Sequence, residues 1–306
     1  MGSFVVYCRG KVVENMRKKR RGTPPATILL IVIVVAVVFG VLFGAFELMG
    51  RYLKEREREP EPEVVETDEP WHPTELIPGL PVNEYDTDAF RWDGNYLVYD
   101  GPETAHRGID VSDHQGEIDW AAVASDGVEY AMLRVGYRGY TEGTTSLDAQ
   151  FYDNVAGARE NGIAVGVYFF SQAINEEEAR EEADIVLRAI EGLEITYPIV
   201  FDWEDVGQPH ARTANMTQQQ LTACAKAFCE EIEAAGYTAG IYFNQIFGYQ
   251  WFQLPDLTDY MFWLAEYGTT PDFVYDFQMW QYTNEGTVSG IEGGVDLNLS
   301  FWEPEQ

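Results

Sequence analysis

The chain has 306 residues, with 20 Lys+Arg against 51 Asp+Glu and a formal net charge of −31. That balance argues against a nucleic-acid binder, because phosphate backbones need clustered cations. With 46% hydrophobic and 14% aromatic residues the chain can bury a core, and its three cysteines are too few for a disulfide framework.

The charge divides the chain. Residues 1–58 hold eleven Lys+Arg against four Asp+Glu, a net of +7, while residues 59–306 hold nine against 47, a net of −38. Within the first part, residues 26–46 (ATILLIVIVVAVVFGVLFGAF) carry no charge. A helix of that length spans roughly 30 Å, the thickness of a bilayer core. A buried helix of a soluble protein and a cleaved signal peptide are the alternatives. The first is rarely apolar all round for so long. The second has a shorter apolar core and a small-residue cleavage site, which Glu47-Leu48-Met49-Gly50-Arg51 does not offer. The reading is a transmembrane helix over 26–49 after a basic cytoplasmic tail, 1–25. The cations Arg17 to Arg21 keep the N-terminus inside, so the single-pass chain sits in the cell membrane with its C-terminal part outside.

Residues 50–70 read as an acidic, Pro-punctuated stalk that cannot bury apolar surface. Residues 71–105 read as a linker holding a small hairpin, with strands on either side of Asp93-Gly94-Asn95. From 106 to 306 strands and helices alternate. Strands are expected at 106–112, 130–137, 164–171, 196–204 and 239–245, each followed by a helix or a short helical stretch. Three more strands follow without clear helices, at 261–267, 276–283 and 295–301. Alternation argues a parallel sheet with right-handed crossovers. Eight strands suggest a closed, TIM-like (β/α)5(β)3 barrel, with an open doubly wound sheet as the alternative. Cys224 and Cys229 stand about 140° apart on one helix and read as small core residues. Glu176, Glu177, Glu178, Glu181 and Glu182 read as a solvated helix face.

In a barrel, chemistry belongs at the C-terminal ends of the strands. Carboxylates gather there: Asp110 on the first strand, Asp202 and Glu204 on the fourth, Glu266 on the sixth, with Asp296 early in the last. Asp202 and Glu204 are i and i+2, so a strand points both to one face with Val200, leaving Phe201 and Trp203 on the other. Two close acids push their pKa values apart, leaving one protonated and one ionised, as a glycosidase needs. Helix-capping or surface roles for the pair, and a Mg²⁺ or Ca²⁺ site from Asp110, Asp202, Glu204 and Asp296, are alternatives. Tyr137, Tyr140, Tyr168, Tyr242, Tyr267, Trp280 and Tyr282 lie near strand ends, where they could stack on sugar rings or simply pack the barrel.

The segments GIDVSDHQGEIDW (108–120), DAQFYDN (148–154), GVYFF (166–170), FDWE (201–204), IYFN (241–244), FWLAEY (262–267), WQY (280–282) and VDLN (295–298) follow one another in the order of a known family. Over about 106–302 the chain resembles glycoside hydrolase family 25, the Chalaropsis-type lysozymes. The resemblance implies a flattened eight-stranded barrel that cleaves the β-1,4 bond between N-acetylmuramic acid and N-acetylglucosamine in peptidoglycan, without metal or other cofactor. It implies Glu204 as general acid/base and Asp202 as its assistant. It casts Asp110 and Asp296 as flanking acids and Tyr168 and Tyr242 as sugar contacts, with Trp280 nearby. Glu266, Tyr267 and Tyr137 are added as substrate-binding candidates. Two departures stand beside the expected cleft: LRVGYRG where many relatives carry KATEG, and Tyr168-Phe169-Phe170 where many carry Tyr-His-Phe. Peptidoglycan strands and the membrane are the expected partners. A non-catalytic wall-binding module and a bitopic assembly protein are the rival readings.

Overall fold

The computed structural model describes residue 73 and residues 75–303. The proposed tail, membrane helix and stalk lie outside the described residues. Among the described residues no helix is long and apolar enough to cross a membrane.

A two-stranded hairpin comes first, β1 (Phe90–Asp93) and β2 (Tyr96–Tyr99). Its two-residue loop starts with Gly94 at φ +66°, a left-handed value suited to glycine. The barrel follows. Its strands are β3 (His106–Val111), β4 (Tyr130–Arg138), β6 (Ala164–Ser171), β7 (Ile199–Trp203), β8 (Ala239–Asn244), β9 (Met261–Ala265), β10 (Met279–Gly286) and β11 (Val295–Ser300). A short strand β5 (Thr145–Leu147) adds to the side of β4, and pairing of β3 with β4 closes the ring. Helices α1 (Trp120–Ser125), α2 (Phe151–Glu160), α3 (Glu176–Ala189), α4 (Gln218–Ala234) and α5 (Gln245–Gln250) connect the early strands.

The eight-stranded barrel matches the count from sequence, with one difference of sense. β11 runs antiparallel to both β10 and β3. The eight residues between β10 and β11 are too few for a parallel crossover, which takes a dozen or more. That reversal brings the start of β11 to the end of the barrel where the parallel strands finish, and Asp296 pairs across from Asp110.

Period two sorts the side chains. On β7, Phe201 faces out to Phe228 of α4 and Trp203 to Phe247 and Trp251 around α5. Val200, by contrast, joins Tyr130, Met132, Met261 and Met279 in a separate buried cluster that we assign to the lumen. Glycines make room there: a Cβ on Gly108 would lie 2.1 Å from the Tyr130 ring, and one on Gly166 2.4 Å from the Met132 sulfur. One end of the lumen is thus plugged by apolar side chains.

Where helices fade, after β9, residues 77–101 supply the cover. Phe90 meets Trp280 edge-on at 5.2 Å, Trp92 meets Tyr282 at 5.8 Å, and Tyr85 stacks on Phe301 at 4.0 Å. α2 starts at Phe151, four residues after the short strand β5 ends. Asp148 ahead of it is pinned by Arg134 and accepts from the Gln150 amide, which holds 145–150 out of the helix.

One surface expectation fails outright. Glu182 is fully buried. It accepts from Arg138 Nε at 2.6 Å and from the Ser171 hydroxyl at 2.5 Å. It shares a helix face with Ala179, Ala183 and Val186, which packs inward. Cys224 and Cys229 are free and buried, in the core as read.

Candidate active site

The open end of the barrel holds a cleft of about 720 Å³. Asp110, Arg134, Tyr168, Asp202, Glu204, Tyr242, Trp263, Glu266, Tyr267, Gln281 and Asp296 are among its lining residues. All but Glu204, Glu266 and Tyr267 sit on barrel strands, and those three follow directly on β7 and β9.

Asp110 and Asp296 are opposed on β3 and β11, and their carboxyls hydrogen-bond to each other. Asp110 Oδ2 also accepts from Asn298 Nδ2 at 2.7 Å and Gln281 Nε2 at 3.0 Å. Burial raises the Asp110 pKa to about 6, and those hydrogen bonds oppose the rise. Behind them Trp263 Nε1 donates to Asn298 Oδ1 at 2.8 Å, and the Tyr242 and Tyr267 hydroxyls each donate to Gln281 Oε1 at 3.1 Å. One amide, Gln281, therefore links two cleft tyrosines to a buried acid.

Asp202 is treated differently. It is 5% exposed, and its Oδ1 has no hydrogen-bond partner among the described residues. Burial pushes its pKa well up, the nearby Asp110 adds to the push, and Arg134 opposes it. A buried carboxyl oxygen without a partner is costly. Here it borders an open cleft where a substrate donor could satisfy it. Glu204, two residues on, is half-buried at the rim. Its backbone carbonyl accepts from the buried Gln172 amide at 2.9 Å, which fixes the chain where it leaves β7.

Tyr168 and Tyr242 both meet Trp263 edge-on, at 6.0 and 5.0 Å. Glu266 lines the cleft, yet its carboxylate is committed. It accepts from the Asp272 and Phe273 amides at 2.8 and 3.0 Å and from Gln245 Nε2 at 3.2 Å. It shapes the wall 266–273 more than it faces a ligand, and burial raises its pKa to about 7. Tyr267 is 44% exposed on that wall.

Two candidates lie elsewhere. Trp280 is fully buried on the outer face of β10, because it alternates with inward-facing Gln281. It packs on Phe90 and Tyr282 and donates to the Glu266 carbonyl at 2.7 Å, so it supports the wall from behind. Tyr137 is 3% exposed and does not line the cleft; it packs with Val206 and Ala211 behind Phe170, which does.

Sequence reasoning passed over Arg134, Gln281, Asn298 and Trp263. Arg134 was legible in principle, since a lone cation inside the apolar run YAMLRVGY must find partners. It is 4% exposed and bonds Asp148 Oδ2 at 2.9 Å and Asp113 Oδ1 at 2.8 Å. Among the described residues no group of His, Cys, Asp or Glu has the geometry to hold a metal ion.

A model of the family described as Glycosyl hydrolases family 25 matches residues 109–291. The autolytic lysozyme of Clostridium acetobutylicum is 28% identical over 193 residues, covering 63% of this chain and 55% of that protein. Lysozyme M1 of Streptomyces globisporus is 29% identical over 205 residues, covering 63% and 66%. The modular autolysin LytC of Streptococcus pneumoniae, solved in complex with a synthetic peptidoglycan ligand, superposes with a TM-score of 0.57 at 25% identity, over 72% of this chain and 52% of that one. The chain thus spans between about half and two thirds of the length of these relatives.

Proposed function

The chain belongs to glycosyl hydrolases family 25, and from that premise we propose that it is a lysozyme-type peptidoglycan hydrolase. It cleaves the β-1,4 bond between N-acetylmuramic acid and N-acetylglucosamine. The observation that carries this reading is the pair at the end of β7: a buried Asp202 whose Oδ1 has no hydrogen-bond partner among the described residues, and Glu204 two residues on at the rim of the same cleft. The peptidoglycan ligand of the related LytC supports the choice of substrate.

In this mechanism Glu204 protonates the leaving glycosidic oxygen and later activates water. Asp202 supplies the acceptor its site leaves open, taking a hydrogen bond from the sugar beside the breaking bond, such as an acetamido N–H. The Asp110–Asp296 pair holds the floor of the subsite, and Arg134 restrains Asp202 from rising further in pKa. Tyr168 and Tyr242 present rings braced by Trp263 to the sugar faces.

The test uses the full-length chain in detergent on purified peptidoglycan, with Glu204→Gln as control. Products are reduced with borohydride and analysed by mass spectrometry. New reducing ends on N-acetylmuramic acid, absent with Glu204→Gln, are expected. Binding without cleavage by the unsubstituted chain would instead favour a wall-binding module.

We further propose that residues 26–49 anchor this hydrolase in the cell membrane with residues 50–70 as an external stalk, which suits action on wall near the membrane. The 21-residue uncharged run and the cations before it support that topology. Cys8 should then resist an impermeant thiol reagent in intact cells and react after permeabilisation. Labelling without permeabilisation would reverse the orientation.

A further inference from the structure

The family match begins at residue 109, so residues 77–101 lie ahead of the matched stretch. They do more than cover an outer face. Val82 forms an antiparallel bridge with Tyr275. Asn83 donates its backbone N–H to the Val274 carbonyl at 3.0 Å and its side-chain amide to the Phe273 carbonyl at 3.3 Å. The Asp276 amide donates to the Pro81 carbonyl at 3.0 Å, and the Tyr85 hydroxyl donates to the Phe277 carbonyl at 2.7 Å. The Ile77 amide donates to the Tyr275 hydroxyl at 2.9 Å.

Every one of these bonds lands on 273–277. That stretch is the direct continuation of the cleft wall, whose Asp272 and Phe273 amides grip Glu266. Between β9 and β10 thirteen residues run without a helix. Glu266 ties Asp272 and Phe273, and the Val274 amide donates to the Tyr249 hydroxyl at 2.8 Å. The strand-like segment 77–85 supplies the remaining bonds to 273–277 from outside.

We propose that residues 77–85 are a positioning strap for the substrate-binding wall of the cleft, with Asn83 and Tyr85 as its anchors. The strap holds 273–277, Glu266 holds 272–273, and the wall running from Glu266 to that anchored stretch presents Tyr267, Thr269 and Thr270 to the glycan. This rests on the hydrolase reading for its ligand alone. Asp202 and Glu204 lie on and just after β7, to which the strap makes none of these bonds. Loss of the strap should therefore weaken glycan binding and leave the chemical step.

The experiment compares the full-length chain with Asn83→Ala, Tyr85→Phe and the double variant. Tyr85→Phe keeps the ring stacked on Phe301 and removes only the bond to Phe277. Amide exchange should rise at least tenfold at residues 272–276 in the double variant and stay unchanged in β4, β6 and β7. On solubilised glycan strands KM should rise about five- to tenfold with kcat within about twofold. Faster exchange with unchanged KM would overturn the proposal and leave the strap a mere cover. Unchanged exchange would overturn it as well, as would kcat and KM both collapsing with a lowered Tm. If the unsubstituted chain cleaves no glycan, the hydrolase reading fails by itself. The dissociation constant for the same strands then decides on the strap in place of KM.

Discussion

Glu182, on the outer side of the barrel, and Asp202, inside its mouth, are both carboxylates taken out of water. Glu182 is met by Arg138 and by Ser171, and the same guanidinium goes on to Glu181, the Glu178 carbonyl and the Gly143 carbonyl. Among the described residues one oxygen of Asp202 has no hydrogen-bond partner. Burial raises both pKa values, that of Glu182 to about 7. The difference lies in what the fold supplies in return. A buried acid surrounded by donors ties elements together, here the 138–143 turn to α3. A buried acid left short of donors costs stability wherever it sits, and a fold keeps such a group where something else is to complete it. Two carboxylates with similar burial thus point to architecture in one case and to chemistry in the other.

The largest effect that sharpens this contrast is on rate. Asp202→Asn should lower hydrolysis by about 10²-fold or more, the scale of a positioned acid or base, while Tm holds or rises because a costly group has been neutralised. A fall in Tm would place Asp202 with the architectural acids. The converse substitution is Glu182→Leu, which leaves Arg138 buried with only the exposed Glu181 carboxylate. It should cost about 3 kcal/mol of unfolding free energy, the lower part of the range for breaking a buried pair, with little change in rate. Denaturant melts read the first quantity. Replacing Arg138 by Met in the same chain should return much of the loss, which a purely steric defect at 182 would not allow.

The pH dependence of stability follows from the same groups. Asp110 is raised to about 6, Glu182 and Glu266 to about 7, and Asp202 upward, all by burial first. Unfolded carboxyls titrate near 4. Between about pH 4 and pH 7 the folded chain therefore binds more protons than the unfolded one. Unfolding free energy must fall as pH rises through that window. The growing negative charge acts in the same direction. Urea melts should show greater stability at pH 5 than at pH 7.5, with a shallower slope in Asp202→Asn. Stability that rises over this interval would mean these acids are not protonated in the fold.

Much of this architecture was legible because strands write their two faces in alternate residues. Val200, Asp202 and Glu204 against Phe201 and Trp203 could be sorted from spacing alone, whereas alternation left an open sheet beside the closed ring and the family resemblance favoured the ring. Trp280 was misjudged by one position. An aromatic near a strand end looks like a sugar platform until the parity of its neighbour Gln281 is followed. Glu182 was hidden because five glutamates in a row of seven residues look solvated. Only the pairing of its face with Ala179, Ala183 and Val186, and a buried Arg138 waiting across the gap, makes it a core residue. The reversal of β11 was written in a connection too short for a crossover. The grip of 77–85 on 273–277 had no local signal at all, since it joins segments about 190 residues apart by bonds that each pair a side chain with a backbone group.

The smallest expected effect concerns the approach to substrate. Residues 59–306 carry a net of −38. Among the described residues the cleft is lined by six acids and one Arg or Lys, Arg134, which is engaged by Asp113 and Asp148. A wall rich in anionic polymer should repel this surface. Raising salt from about 10 to about 150 mM shortens the Debye length from about 30 to about 8 Å and screens that repulsion. Initial rates on intact anionic walls should then rise, by about two- to threefold. Rates on soluble uncharged glycan should stay flat, because the short-range contacts at Asp202, Tyr168 and Tyr242 are unaffected by screening at that distance. A rate that falls with salt would require a cationic contact with the wall. Arg134 could supply one only by giving up the two aspartates that hold it, so the substitution Asp113→Asn would then change the salt slope, and with the pairing intact it should not.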